Sequence, residues 1–153
     1  MVLHTMTRSK RMQPVQRLAQ NREQQAVRRL GESQQHLQLQ QSKLEELRAY
    51  RDQYARDFEN SGGAGLGAAR VQNYRVFLNR LNEAIRQQEA AIAESRVRHE
   101  ESRRRWVESR SENQAIDKLV DRYRLEESKQ RERREQKEQD DRAHRRADDS
   151  SEK

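Results

Sequence analysis

Residues 71–123 read VQNYRVFLNR LNEAIRQQEA AIAESRVRHE ESRRRWVESR SENQAIDKLV DRY, and steps of three and four residues from Val71 trace a single line through them. The line is Val71, Tyr74, Leu78, Leu81, Ile85, Gln88, Ile92, Ser95, His99, Ser102, Trp106, Ser109, Asn113, Ile116, Val120 and Tyr123; ten of these sixteen are apolar. Arg, Glu, Gln and Asn crowd the positions between them. A 3.5-residue apolar repeat kept over more than seven heptads is the a/d seam of a long helix that packs on another helix. With Val71 as a, Tyr74 is d.

Upstream the repeat recurs. Leu30, Leu37, Leu44, Arg51 and Phe58 lie seven apart, as do Ser33, Gln40, Leu47 and Tyr54, and Met12, Ala19 and Ala26 continue the second series. The first series fails at Glu23 and Gln16, while Val15, Leu18 and Val27 sit off it, so a local register adjustment is expected near residues 22–27. Pro14 suits the first turn of a helix, where its missing N–H is harmless. Between the halves, residues 60–67 read NSGGAGLG and hold four of the five glycines. Each Gly weakens a helix by ~1 kcal/mol relative to Ala, so this run is a turn. The fifth, Gly31, falls at a b position and marks either a weak spot or a close approach.

Two helices joined by a short loop pack antiparallel. Setting Tyr54 against Tyr74 places Arg51 on Leu78, Leu47 on Leu81, Leu44 on Ile85 and Leu37 on Ile92. Gln40 then meets Gln88, Ser33 meets Ser95, Ala26 meets Ser102 and Ala19 meets Ser109. Large layers meet large and small meet small. The expected fold is all-α, a monomeric antiparallel two-helix coiled-coil hairpin over residues 12–125, with its turn at 60–67. Residues 1–11 are expected to be a flexible basic arm. Residues 126–153 carry nineteen charges in twenty-eight positions with only Ala143 and Ala147 apolar, and are expected to be a frayed helix or disordered.

Composition narrows the function. The 153 residues include 39% charged and 31% hydrophobic ones, with five Gly, one Pro and no Cys. That is too little apolar surface for a globular core and too few turns for a sandwich, barrel or βαβ fold. Without cysteine there is no disulfide, no thiolate zinc site and no thiol nucleophile. No run approaches a membrane span of ~20 apolar residues, and Met1–Met12 has no apolar stretch of the signal-peptide kind, so a cytoplasmic protein is expected. Met6 and Met12 are alternative starts. His4, His36, His99 and His144 share no metal-ligand spacing; His99 reads as a tolerated seam residue. The glycine run lacks a phosphate-loop ending, and a two-helix rod is expected to offer no cleft that buries a carboxylate pair for acid–base work. Neither an enzyme nor a cofactor is expected.

Two surface features stand out. Residues 1–30 hold seven Lys/Arg and one acid, a net of +6 within the chain's +7. A basic segment calls for an acidic partner, or only solubilises a helix face. Near the turn, Tyr50, Phe77, Ala84 and Ala91 are g positions, whereas the e positions Arg48, Arg75 and Asn82 are polar. One flank therefore carries aromatic residues beside Leu47, Tyr54 and Leu81. They form an interaction patch or merely widen the core.

Several short motifs resemble one family. Arg28-Arg29-Leu30-Gly31-Glu32 resembles the Arg-Leu-Gly-Glu signature in the first helix of the flagellar export protein FliJ. Leu47, Tyr50 and Tyr54 resemble its Leu-x2-Tyr-x3-Tyr stretch before a Gly-rich loop, and Asn73-Tyr74-x2-Phe77 with Leu81-x2-Ala84-Ile85 resembles its second-helix motif. Trp106 stands where members often carry a tryptophan. The resemblance covers roughly residues 12–125. It implies a cytoplasmic component of the flagellar type III export apparatus, peripheral to the inner membrane, whose hairpin resembles the central stalk of rotary ATPases. It implies two main partners, the export ATPase ring and the cytoplasmic domain of the membrane export gate, with export chaperones as further ones. The family's gate contact maps onto Leu47, Tyr50, Tyr54, Phe77, Leu81 and Ala84. Lys43 replaces a frequent Gln and Gln88 a His, which departs from that pattern. The basic residues Arg17, Arg22, Arg28 and Arg29 are expected to meet the ATPase ring. Two alternatives are the stalk of a non-flagellar type III secretion system and a nucleic-acid-binding coiled coil. The second lacks the apolar-free basic helix of a zipper, and its binding to duplex DNA would fall steeply with salt.

Overall fold

A computed structural model describes residues 6–65 and 67–152. Three helices appear in order: α1 (Arg8–Arg11), α2 (Gln13–Asn60) and α3 (Ala68–Ser151), with a 3-10 turn at Gly63–Gly65 before α3. The described residues include no strand. The two long helices pair as the hairpin that the layer matching predicts. Their contacts fall into two compact units, one from residues 25–107 and one joining the segment before residue 25 to the segment after residue 107.

In the turn unit (25–107), Leu44, Ile85 and Ile92 form a buried cluster against which Leu37 and Leu47 pack. Each such side chain withdrawn from water contributes about 1.5–3 kcal/mol. Ala26, Leu81 and Ser95 are buried as well. Between these apolar layers lies a polar one: the Gln88 side-chain amide donates to the Gln40 backbone carbonyl at 2.8 Å and also to the Gln40 side-chain oxygen. The amides that sequence matching set face to face thus satisfy each other, as buried polar groups must. Every position on the line from Val71 to Tyr123 is buried or half-buried.

The turn closes by backbone bonds. Ser61 N donates to Asp57 O (3.0 Å) and Gly65 N to Gly62 O (2.9 Å), and Gly67 O accepts from Arg70 N and Val71 N to begin α3. Gly62 and Gly63 have φ of 108° and 50°, the left-handed region where a Cβ clashes with the backbone.

The terminal unit has a thinner core, with Ala19 and Val120 buried. Here the expected register adjustment is absent. Gln16 and Glu23 stay half-buried on the seam, whereas Val15 and Leu18 are 42% and 50% exposed, as is Val27 (49%) just inside the turn unit. Polar pairing replaces apolar contact: Gln16 Nε2 donates to Asp117 Oδ1 at 2.7 Å, and Asn113 Nδ2 donates to Glu23 Oε2. Because these side chains find partners on α3, the heptad phase need not shift to bring Val15 or Val27 inward.

Residues 8–11, within the stretch expected to be a flexible arm, form α1. Thr7 caps it, its Oγ1 accepting from Lys10 N. Met12 separates α1 from α2, because Pro14 has no N–H for the Lys10 carbonyl and restrains the residue before it. Residues 126–151, expected to be frayed or disordered, continue α3, and nearly all of them are exposed.

Candidate functional site

Five aromatic side chains meet at the turn end of the turn unit. Phe58 and Tyr74 stack with ring centroids 3.8 Å apart and planes 8° off parallel. Tyr54 stacks on Tyr74 at 5.4 Å and tilts against Phe77 at 4.5 Å. Tyr50 meets Phe77 edge-on at 6.2 Å and 77°. Such pairs add about 0.5–1.5 kcal/mol each beyond their burial. Facing a and d positions supply Tyr54, Phe58 and Tyr74, and the g positions supply Tyr50 and Phe77, so heptad phase alone gathers all five on one flank.

The six residues expected to form the gate patch divide by exposure. Tyr50 is 54% exposed and Leu81 is buried at 8%. Leu47, Tyr54, Phe77 and Ala84 are half-buried, and Leu47 packs on the Leu44 cluster. Tyr50 is thus the open face of the patch, Phe77 its edge, and Leu47 and Leu81 the floor beneath. Phe77 and Ala84 are half-buried against the seam, as residues that widen the core would be, while Tyr50 stays open to solvent. Ala91 is half-buried on the same flank.

Phe58 and Tyr74 were legible only as seam residues. In the structure they also line a cleft of about 320 Å³ with Tyr54, Asp57, Ser61, Arg70 and Asn73. The g assignment of Asp57 and Arg70 was the available signal, since g positions border the flank on which Tyr50 stands.

The basic residues Arg17, Arg22, Arg28 and Arg29 are all exposed on α2. Arg17 and Arg22 belong to the terminal unit, Arg28 and Arg29 to the turn unit. Arg22 pairs with Glu112 at 3.6 Å, a g–g′ ion pair; exposed pairs of this kind are worth ~0–1 kcal/mol. Lys43 is exposed and Gln88 is committed to Gln40.

A clasp holds α1. Glu127 Oε1 accepts from Ser9 N at 3.0 Å and Oε2 from Ser9 Oγ at 2.7 Å, which buries Ser9. Arg8 lies 5.7 Å from the Tyr123 ring centre. α1 has no acid in its own first turn, so a carboxylate from α3 satisfies its orphan N–H. The Ser9 N–H, then the Ser9 hydroxyl, with lesser help from Thr7 and Arg131, hold the Glu127 carboxyl below its ordinary value against the opposing effect of desolvation.

Among the described residues no group of His, Asp or Glu has the arrangement to hold a metal ion. His4 lies outside the described residues; His36 and His144 are exposed and His99 half-buried on the seam. No described helix is long and apolar enough to cross a membrane.

The fold and its flanks define an all-α helical hairpin, a long-helix pair that carries its aromatic and basic features on its surface. The family model for the flagellar FliJ protein matches residues 8–152. The chain belongs to that family, whose members are non-catalytic components of the flagellar export apparatus. No curated protein and no solved structure matched it.

Proposed function

We propose that this protein is a non-enzymatic stalk that couples the flagellar export ATPase to the membrane export gate. Its aromatic flank in the turn unit contacts the cytoplasmic domain of the gate, and its basic residues on α2 contact the ATPase ring. It escorts export chaperones, works at the cytoplasmic side of the inner membrane, and is needed for flagellar assembly and motility.

The observation that carries the reading is Tyr50, a large aromatic side chain 54% exposed on the edge of a stacked cluster. Aromatic anchors of this type dominate interface energies, and truncating one costs ~2 kcal/mol or more, about thirtyfold in affinity. Tyr50→Ala is therefore expected to weaken binding of the gate cytoplasmic domain at least thirtyfold in a quantitative pulldown, with helicity unchanged. Gate binding within twofold of wild type would refute the gate contact.

The ATPase contact has its own test. Arg17, Arg22, Arg28 and Arg29 each count for little alone, but together they set encounter rate and salt sensitivity. Reversing all four to Glu is expected to weaken ATPase binding and stimulation at low salt and to spare gate binding. If these arginines only solubilise the helix, the stimulation curve stays that of wild type.

A further inference from the structure

Beside the clasp of the terminal unit, α1 and α3 bound a cleft of about 380 Å³. Four cations line it: Lys10 from α1, and Arg124, Arg131 and Arg134 from α3. Heptad phase gathers the three arginines. Arg124 and Arg131 are e positions, and Arg134 continues the a line beyond Val120 and Glu127. Glu127 is the one carboxylate among the lining residues, and both of its oxygens already accept from Ser9. None of the four cations makes a side-chain hydrogen bond or an ion pair among the described residues; Arg131 acts on Glu127 only through its field. Asp121, Glu135 and Glu138 lie about one turn from these arginines along α3, yet they do not line the cleft and pair with none of them. The Thr7 hydroxyl is engaged by Ser9 Oγ and Lys10 N. Gln130 adds an uncharged amide to the lining.

We infer that this cleft binds a phosphate group, with Lys10 on one side and Arg124, Arg131 and Arg134 on the other, so that the ligand bridges α1 to α3. The site stands apart from the gate and ATPase contacts and does not rest on them. Four cations held around one cleft repel each other, and the single carboxylate among them is spent on Ser9. An anion with more than one charge relieves that repulsion, and converging charges of one sign raise its local concentration. A carboxylate has two oxygens, which one arginine fork can occupy. A phosphate group has more oxygens and more charge to share among three forks and an ammonium. All four cations are exposed, so the attraction weakens as salt rises.

The test uses the full-length protein, with inorganic pyrophosphate as the probe and sodium chloride keeping the ionic strength constant. Arg124→Gln with Arg134→Gln removes two cations from the cleft and leaves Arg131 beside Glu127. Arg122→Gln with Arg133→Gln removes the same charge from exposed positions of α3 outside the cleft. Circular dichroism checks that both double variants keep their helicity. Pyrophosphate is expected to shift the Ser9 amide resonance saturably and to slow its hydrogen exchange, because a ligand bound to the docked state stabilises that state. The cleft variant is expected to bind about tenfold more weakly or worse, and the control within about twofold of wild type. A second arm measures cosedimentation with phosphatidylglycerol vesicles, against phosphatidylcholine vesicles. Binding there with the same dependence on the cleft, and none of pyrophosphate, assigns the phosphate to a lipid headgroup. Saturation without slower Ser9 exchange places the anion on α3 alone and overturns the bridge. Equal losses in the two double variants, or no binding of either probe, overturn the site.

Discussion

Gly31 is exposed in mid-helix, and a Cβ built there meets nothing within 4 Å. Of its two readings the close approach is therefore excluded, and what remains is a weak spot. Gly31→Ala is expected to stabilise the protein by about 0.5–1 kcal/mol, because alanine loses less backbone freedom on folding; thermal melting checks it. Phe77 behaves differently from Tyr50 despite the shared g position. It is half-buried and touches both Tyr50 and Tyr54, so Phe77→Ala is expected to lower stability by about 1–3 kcal/mol, whereas Tyr50→Ala stays within ~1 kcal/mol. Urea titration of the two single variants separates anchor from core. Glu127 supplies a pH response. Its folded pKa is depressed, so its contribution to docking α1 is fully present above the ordinary carboxyl value of 4.5 and is lost as pH falls through the lowered one. The Ser9 amide resonance is expected to titrate with a midpoint below 4.5, and Glu127→Gln to abolish that titration.

At the scale of elements, α2 and α3 show how far a heptad pattern can be read. The seam from Val71 to Tyr123 and its counterpart from Leu30 to Phe58 were fully legible, since apolar residues mark most of their positions and only two helices had to be matched. The seam at Gln16 and Glu23 was not, because no apolar side chain marks it there and these residues belong through hydrogen bonds to Asp117 and Asn113. α1 was illegible for a related reason. Four residues carry no periodicity, and the carboxylate that holds them lies 118 positions away. Thr7 was the available cue, as a capping hydroxyl two residues ahead of Ser9. At the candidate site, Tyr50 and Phe77 were legible from phase, whereas the cleft depends on where Phe58, Tyr74 and Arg70 end up around the turn. The Glu23–Asn113 pair makes a prediction of its own. Converting both Glu23 and Asn113 to Leu is expected to stabilise the protein by roughly 1–2 kcal/mol, because a buried polar pair is no better than a packed apolar one. Asn113→Leu alone is expected to destabilise it by leaving Glu23 half-buried without its partner. Denaturant midpoints of the three variants decide the matter.

For the molecule as a whole, the hairpin satisfies its seam within one chain, and the protein alone is expected to be a monomer. Cysteines at Leu37 and Ile92, which meet in the same buried cluster, should crosslink within one chain at low protein concentration. A sedimentation mass of one chain is the companion measurement, and crosslinks found only between chains would contradict the closed pair. The Gln40–Gln88 layer acquires a further meaning if the protein is pulled or twisted while it works. Two helices whose seams repeat every 3.5 residues regain their apolar contacts only when they slide by half or whole heptads. A whole-heptad step sets Gln88 against Leu47 or Ser33 and Gln40 against Leu81 or Ser95, and a half-heptad step sets Gln88 against Leu44 or Leu37 and Gln40 against Ile92 or Ile85. Each amide then gives up the partner it has now, and an unmet buried polar group costs about 1–3 kcal/mol. The layer is thus a detent: it leaves the helices free to bend together and resists their creeping out of step under load.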